Sequence, residues 1–339
     1  MELLGKFDDR HSMTTAGQTH EANQPVSRPK VLMLGGFGRS GSTLLERCLA
    51  QCEGFSGLGE VIHLWERGLH DNELCGCSSE FADCPMWTAI GAEAYGGWDK
   101  VDTNVAISDR LGVVRNRFIP ELTGQFALAP RRDARERLIE RLDRLYSAAK
   151  QVTGADILVD SSKHPAYAYF LRSLNIDLRC VLVVRDPRGV AYSWSKVVKR
   201  PETGDRMQDM PRYSVLESMV NWTSYSLLFH ALALFKVPVM TVHYEDFMRT
   251  PHTTLEKIAR FAGAKSSELL PELTNGQIDL QVHHTVAGNP MRFKVGEVEL
   301  KLDETWKSKM PRTDRAIASV LSFPMRVAYK AGKIVGRYA

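Results

Sequence analysis

Apolar residues along this chain recur as short unbroken runs, each closed by turn residues and followed by a segment of helical spacing. The runs cover 31–34, 157–159, 180–184 and 239–242 and are rich in Val, Ile, Leu and Met, and a second short strand, mixed in composition, is predicted near 55–58. Unbroken rather than alternating apolarity is expected of strands covered on both faces. Pro238 stands where the last run begins, a position that a strand tolerates. Helices are predicted over 165–174, 187–198, 216–234 and 253–262. A longer one over 132–150 sets Leu138, Ile139, Leu142, Leu145 and Tyr146 on one face and Arg137, Glu140, Arg141, Asp143 and Arg144 on the solvated one. Strand and helix alternate, so the predicted fold class is α/β, a P-loop-like parallel sheet with helices on both faces. Ligands of such sheets bind at the C-terminal ends of the strands.

Three stretches depart from this rhythm. Residues 1–29 are polar without periodicity and are expected to form a disordered tail. Within a main domain of 30–311, residues 62–130 read as an irregular or helical lid insertion over the acceptor side. Residues 312–339 read as an amphipathic helical tail interrupted at Pro324, expected to pack on the protein's own surface or to make a peripheral membrane contact.

Composition narrows the classes. The chain has 339 residues, a net charge of +4, 44% hydrophobic and 25% charged residues, ordinary for a globular protein. No stretch nears the roughly 20 apolar residues of a membrane span, and the N-terminus lacks a signal peptide's apolar core. Six irregularly spaced cysteines suit a reducing cytoplasm rather than a disulfide framework. The mild positive charge argues against nucleic acid and suits a small polyanionic ligand.

The chemistry concentrates after the strands. Gly35-Gly36-Phe-Gly38-Arg39-Ser40-Gly41-Ser42-Thr43-Leu44 is a glycine-rich turn running into a helix, an arrangement that aims backbone N–H groups at a phosphate. Gly36, Gly41 and Thr43 fall on P-loop positions, but the lysine position holds Ser42, which disfavours ATP or GTP hydrolysis. Later, Asp186 suits an N-cap and Pro187 the first helical position, which leaves Arg185 at a strand tip and Ser193 two turns along the helix. A P-loop kinase of a small metabolite and a non-catalytic adenosine-bisphosphate-binding module remain as alternatives.

The segments Arg39-Ser-Gly-Ser-Thr-Leu44 and Arg185-Asp-Pro-Arg-Gly-Val-Ala-Tyr-Ser193 resemble the two nucleotide motifs of sulfotransferases that use 3′-phosphoadenosine-5′-phosphosulfate. The resemblance implies that residues 38–44 hold the 5′-phosphosulfate and that Arg185 and Ser193 hold the 3′-phosphate. It extends to Tyr244 beside the adenosine, and to Asn289 and Arg292 on a C-terminal closing loop. Lys163, in Asp-Ser-Ser162-Lys163-His164-Pro, resembles the catalytic lysine of the tyrosylprotein-type enzymes, with Arg39 sharing its charge and Ser162 adding a hydroxyl. Glu60, in Gly-Leu-Gly-Glu60, resembles the base, and His164 is the second candidate. A hydroxyl-bearing acceptor and no catalytic metal are implied.

Cys75-Gly-Cys77 and Cys84-Pro-Met86-Trp87 raise the question of a metal knuckle. Zinc usually takes four ligands and His70 is the only nearby fourth in the sequence, so the expectation is a cysteine-rich lid, with a redox-labile bridge, that lends Trp87 or Met86 to the acceptor pocket.

Overall fold

The computed structural model describes residues 28–124, 129–200, 209–264 and 276–332, so nearly all of the expected N-terminal tail lies outside the described residues. Five strands, β1 (Lys30–Gly35), β2 (Phe55–Gly59), β3 (Ile157–Lys163), β4 (Asp177–Val184) and β5 (Val239–His243), form one sheet in the order β2-β3-β1-β4-β5. Every neighbouring pair in it is parallel. Successive side chains of a strand face opposite ways. Val31 and Met33 accordingly enter one core with Leu142, Tyr167, Trp222 and Phe229, while Leu32 and Leu34 enter another with Leu45, Val242, Leu255 and Ile258.

One layer carries α1 (Ser42–Leu49); the insertion carries α2 (Pro85–Tyr95), α3 (Thr103–Val113), α4 (Ile119–Thr123) and the long α5 (Ala129–Thr153). The 62–130 insertion is largely helical, beginning with a wide-turn helix over Leu64–His70. Its helices pack on several sides at once around Trp65, Phe81, Trp87 and Trp98, so no single apolar stripe repeats. Beyond it come α6 (Pro165–Leu171), α7 (Pro187–Ser195), α8 (Val215–Leu232), α9 (Tyr244–Arg249) and α10 (Pro251–Ala262). Ser214 and Glu217 close α8 with a reciprocal capping box.

An antiparallel hairpin of β6 (Gln277–Leu280) and β7 (Gly296–Glu299) follows, unanticipated because four residues are too few to display a period. The tail forms α11 (Trp306–Lys309), α12 (Arg312–Leu321) and α13 (Phe323–Lys330). The break falls at Ser322, and Pro324 sits in the first turn of α13, where its missing N–H costs nothing. Ala318 and Met325 are buried, while Val320 and Phe323 stay exposed. Among the described residues no helix is long and apolar enough to cross a membrane.

Candidate active site

The turn after β1 is shaped by its neighbours. Gly36 has φ 123°, and a Cβ there would stand 2.5 Å from the Val183 carbonyl oxygen. Gly41 has φ 87°, and its Cβ would meet the Tyr244 ring at 2.6 Å. Only glycine meets both demands. α1 starts at Ser42 with no side-chain cap, which leaves the first N–H groups of Ser42, Thr43 and Leu44 outside the helical ladder. These residues line a cavity of about 710 Å³ at the C-terminal end of the sheet.

Arg39 reaches the same cavity with its guanidinium 5.0 Å above the Trp194 ring. Among the described residues, its buried Nε and Nη2 have no hydrogen-bond partner. Burial lowers its pKa, against the opposing pull of Glu60. A buried cation with open donors suits an oxyanion. Gly38 lines the cavity, and its carbonyl accepts from Trp194 Nε1 at 2.9 Å. Ser40 does not line it; its hydroxyl donates to the Phe37 carbonyl at 2.7 Å and braces the turn.

On the far wall the Arg185 guanidinium lies 4.6 Å over the Tyr244 ring. Its Nη1 donates to the Arg39 carbonyl at 3.2 Å, and its Nη2 to the Asp303 carboxylate at 3.0 Å. Burial raises the Asp303 carboxyl, but Thr305 and Arg185 hold it down at about 2. Ser193 and Asn289 line the cavity. Asn289 also caps its turn by accepting from Met291 N at 3.1 Å. Arg292 is a correction: it is 1% exposed, lies outside the cavity lining, and donates to the Thr285 and Leu74 carbonyls at 2.9 and 2.7 Å. Its charge braces the closing loop instead of facing a ligand.

Lys163 ends β3 in the left-handed region, φ 67°, where the register against β1 shifts. Glu60 follows β2, its N–H donating to the Val286 carbonyl at 2.8 Å. These two strand tips adjoin, and the Lys163 ammonium donates directly to Glu60 Oε1. Burial would raise the Glu60 carboxyl, but Lys163, then His63 and Arg67, hold it at about 2. His164 lines the same cavity, its Nδ1 3.4 Å from the Tyr225 hydroxyl, and burial pushes its pKa down to about 3.

A buried polar layer beneath this pair escaped the sequence reading. Glu46 accepts from Gly59 N and Ser161 Oγ, both at 2.6 Å, and burial lifts its pKa to about 7. Asp160 accepts from Tyr146 at 2.6 Å and from Ser162 N at 2.8 Å, and burial lifts it to about 6. Ser162 Oγ in turn accepts from Ile62 N at 3.0 Å. An acid directly after the apolar run 157–159 was the available signal for Asp160. Neither Trp87 nor Met86 lines the cavity: Trp87 is fully buried and donates to the His284 carbonyl at 2.8 Å. No redox-labile bridge is formed, since all six cysteines are free.

A parallel α/β sheet with a cation-lined cradle at its strand tips is an arrangement suited to an anionic ligand. The sequence profile of the sulfotransferase family matches residues 30–268, and the chain belongs to that family. Among solved structures it is similar to the sulfotransferase domain from the curacin biosynthetic pathway, with 15% identity, 87% of this chain and 98% of that one covered, and TM-score 0.46. It is also similar to the sulfotransferase domain of the Synechococcus PCC 7002 olefin synthase, with 17% identity, 91% and 98% covered, and TM-score 0.41. A third is sulfotransferase STF9 from Mycobacterium avium, with 15% identity, 71% and 64% covered, and TM-score 0.39. No curated protein sequence matches the chain.

Proposed function

We propose that the chain transfers a sulfuryl group from 3′-phosphoadenosine-5′-phosphosulfate to a hydroxyl of a small-molecule, glycan or lipid acceptor. One observation carries the reading: Arg39, whose buried Nε and Nη2 have no hydrogen-bond partner among the described residues, lines the same cavity as the Lys163–Glu60 pair. The residues fit such a donor, since the cradle offers unpaired N–H groups to an anion and the Tyr244 ring closes against Gly41. Residues 38–44 and Arg39 would hold the phosphosulfate end, with Arg185 and Ser193 at the other phosphate. When bound, the donor supplies an activated sulfuryl group, and positioning and charge neutralisation account for most of the acceleration.

The Lys163–Glu60 pair is a resting arrangement. An anion that draws the Lys163 ammonium away removes the main hold on Glu60, and burial then lifts the carboxyl, because desolvation is the larger influence on it. A carboxylate that regains proton affinity as its partner leaves can accept the acceptor's hydroxyl proton. Six free thiols support a reducing, cytoplasmic setting. The apolar face carrying Val320 and Phe323 supports an acceptor presented at a lipid surface.

The test has two arms. Calorimetry with adenosine 3′,5′-bisphosphate should show binding that Arg39→Ala weakens by about 1.5–3 kcal/mol, the weight of a charge-assisted hydrogen bond. Incubation with radiolabelled donor and cell extract should label a hydroxyl-bearing species. Absence of binding heat overturns the reading. ATP consumption without the sulfate donor would favour the kinase, and binding without any transfer would favour the sensing module.

A further inference from the structure

We propose that Cys75, Cys77, Cys84 and His284 hold one structural zinc ion. Within the insertion three cysteines stand without a fourth ligand, and the fold supplies it from the loop between β6 and β7. His284 Nδ1 lies 3.2 Å from Cys84 Sγ across a sequence separation of 200 residues. The four ligand atoms all lie within 4.8 Å of one another. A tetrahedral ion with bonds of about 2.3 Å to sulfur and about 2.0–2.1 Å to nitrogen sets its ligands about 3.6–3.8 Å apart, so the cluster already has the required span.

The surrounding backbone is organised around this point. Cys75 N donates to the Ser79 carbonyl and Ser78 N to the Cys75 carbonyl, both at 2.8 Å, and Ser78 adopts φ 69°. The segment thus folds into a tight knuckle carrying Cys75 and Cys77. Gly76 N donates to the Thr285 carbonyl at 3.0 Å, and a Cβ on Gly76 would stand 2.5 Å from the His283 carbonyl oxygen. The closing loop therefore comes as near the knuckle as glycine allows. Cys84 sits just ahead of α2, with Pro85 as that helix's first residue.

Three sulfurs and one imidazole nitrogen are a soft, tetrahedral set, which selects zinc over magnesium or calcium. Binding releases three thiol protons to solvent, and the ion with three thiolates and a neutral imidazole carries net charge −1. Cys75 and Cys84 are 1% and 0% exposed, and four protein ligands leave no open position, so the ion would be structural rather than catalytic. A disulfide between any two of the cysteines would leave the third thiol and the histidine unused. His70, the fourth ligand that sequence proximity suggests, instead lies exposed against Asp71 at 3.0 Å.

The position gives the ion a task. Val286, two residues past His284, exchanges hydrogen bonds with Leu58 and Glu60 at 2.9 and 2.8 Å. Arg292 ties the same loop to Leu74, beside the knuckle. The ion would staple the insertion to the closing loop two residues ahead of Val286, whose carbonyl holds the Glu60 backbone. This inference does not depend on the sulfuryl-transfer reading.

Full-length protein purified without chelator or nickel should contain about one zinc per chain by plasma mass spectrometry. His284→Asn and Cys77→Ser should lose most of that metal, whereas His70→Asn should retain it. Should those variants fail to fold, cobalt-exchanged wild type should show the visible bands of tetrahedral cobalt with thiolate charge transfer. Wild-type protein that takes up no metal when zinc is supplied would overturn the proposal. So would full zinc retention in a folded His284→Asn, or a disulfide joining two of the three cysteines in a non-reducing peptide map.

Discussion

The cradle after β1 and the wall that faces it are built by opposite means. In the cradle, strand, turn and helix N-terminus follow one another without interruption, so Arg39 and the N–H groups of 42–44 come from one short segment. The facing wall brings Glu60 from β2, Lys163 and His164 from β3, and Asn289 from a loop more than two hundred residues after Glu60. A local motif suffices to hold a phosphate, because backbone geometry does most of the work. The facing wall instead draws on the whole fold.

That contrast is open to direct attack. The largest expected effect is Glu60→Gln, which should lower turnover by about 10²–10⁴-fold, the usual weight of a general base, while adenosine bisphosphate binding stays within a few-fold. Steady-state transfer assays beside calorimetry would separate the two halves. Full activity would move the base to His164.

Glu46 stands on the seam, since it belongs to α1 but anchors Gly59 and Ser161 at the opposite strand tips. Its folded pKa is raised to about 7, so between the unfolded value and pH 7 the folded state binds more protons than the unfolded chain. Stability should therefore fall as pH rises through that window. Glu46→Gln, neutral throughout, should gain up to roughly 3 kcal/mol on wild type between pH 5 and pH 8. Urea unfolding at the two pH values checks this; parallel curves would mean that Glu46 is charged in the folded protein at both.

The smallest effect is expected at Asp303. Its carboxylate already occupies the Arg185 fork and competes with an incoming phosphate. Asp303→Asn should tighten adenosine bisphosphate binding by roughly two- to fivefold, in keeping with a partly exposed ion pair. Weaker binding in that variant would make Asp303 a brace for Arg185 rather than a competitor.

The same divide explains what could be read in advance. Most of the parallel strands were legible because burial on both faces leaves apolar runs, whereas β2, Phe-Ser-Gly-Leu-Gly, is marked by its glycines. Glu60 and Lys163 stood out through the family resemblance, at strand ends marked by glycine and proline. His284 was not legible as a neighbour of Cys84, since nothing local to either residue records a contact made through tertiary packing. Arg292 misled for a related reason: a loop arginine matching a ligand-binding pattern is spent here on two carbonyls. The helices of 62–130 hid because short helices covered on several sides lose the 3.6-residue stripe.

The bond pair linking Leu58 and Glu60 to Val286 has a further consequence for how the molecule is made. β2 is a border strand of the sheet, and among the described residues its outer rim is bridged by Val286 of the late loop at Gly59. At ribosomal speeds of about 5–20 residues per second, the rim waits roughly 10–45 seconds for Val286 to be synthesised. During that interval the nascent protein presents bare amide and carbonyl groups of the kind that recruit other strands. The segment that brings Asn289 to the cavity is also the one that ends this exposure.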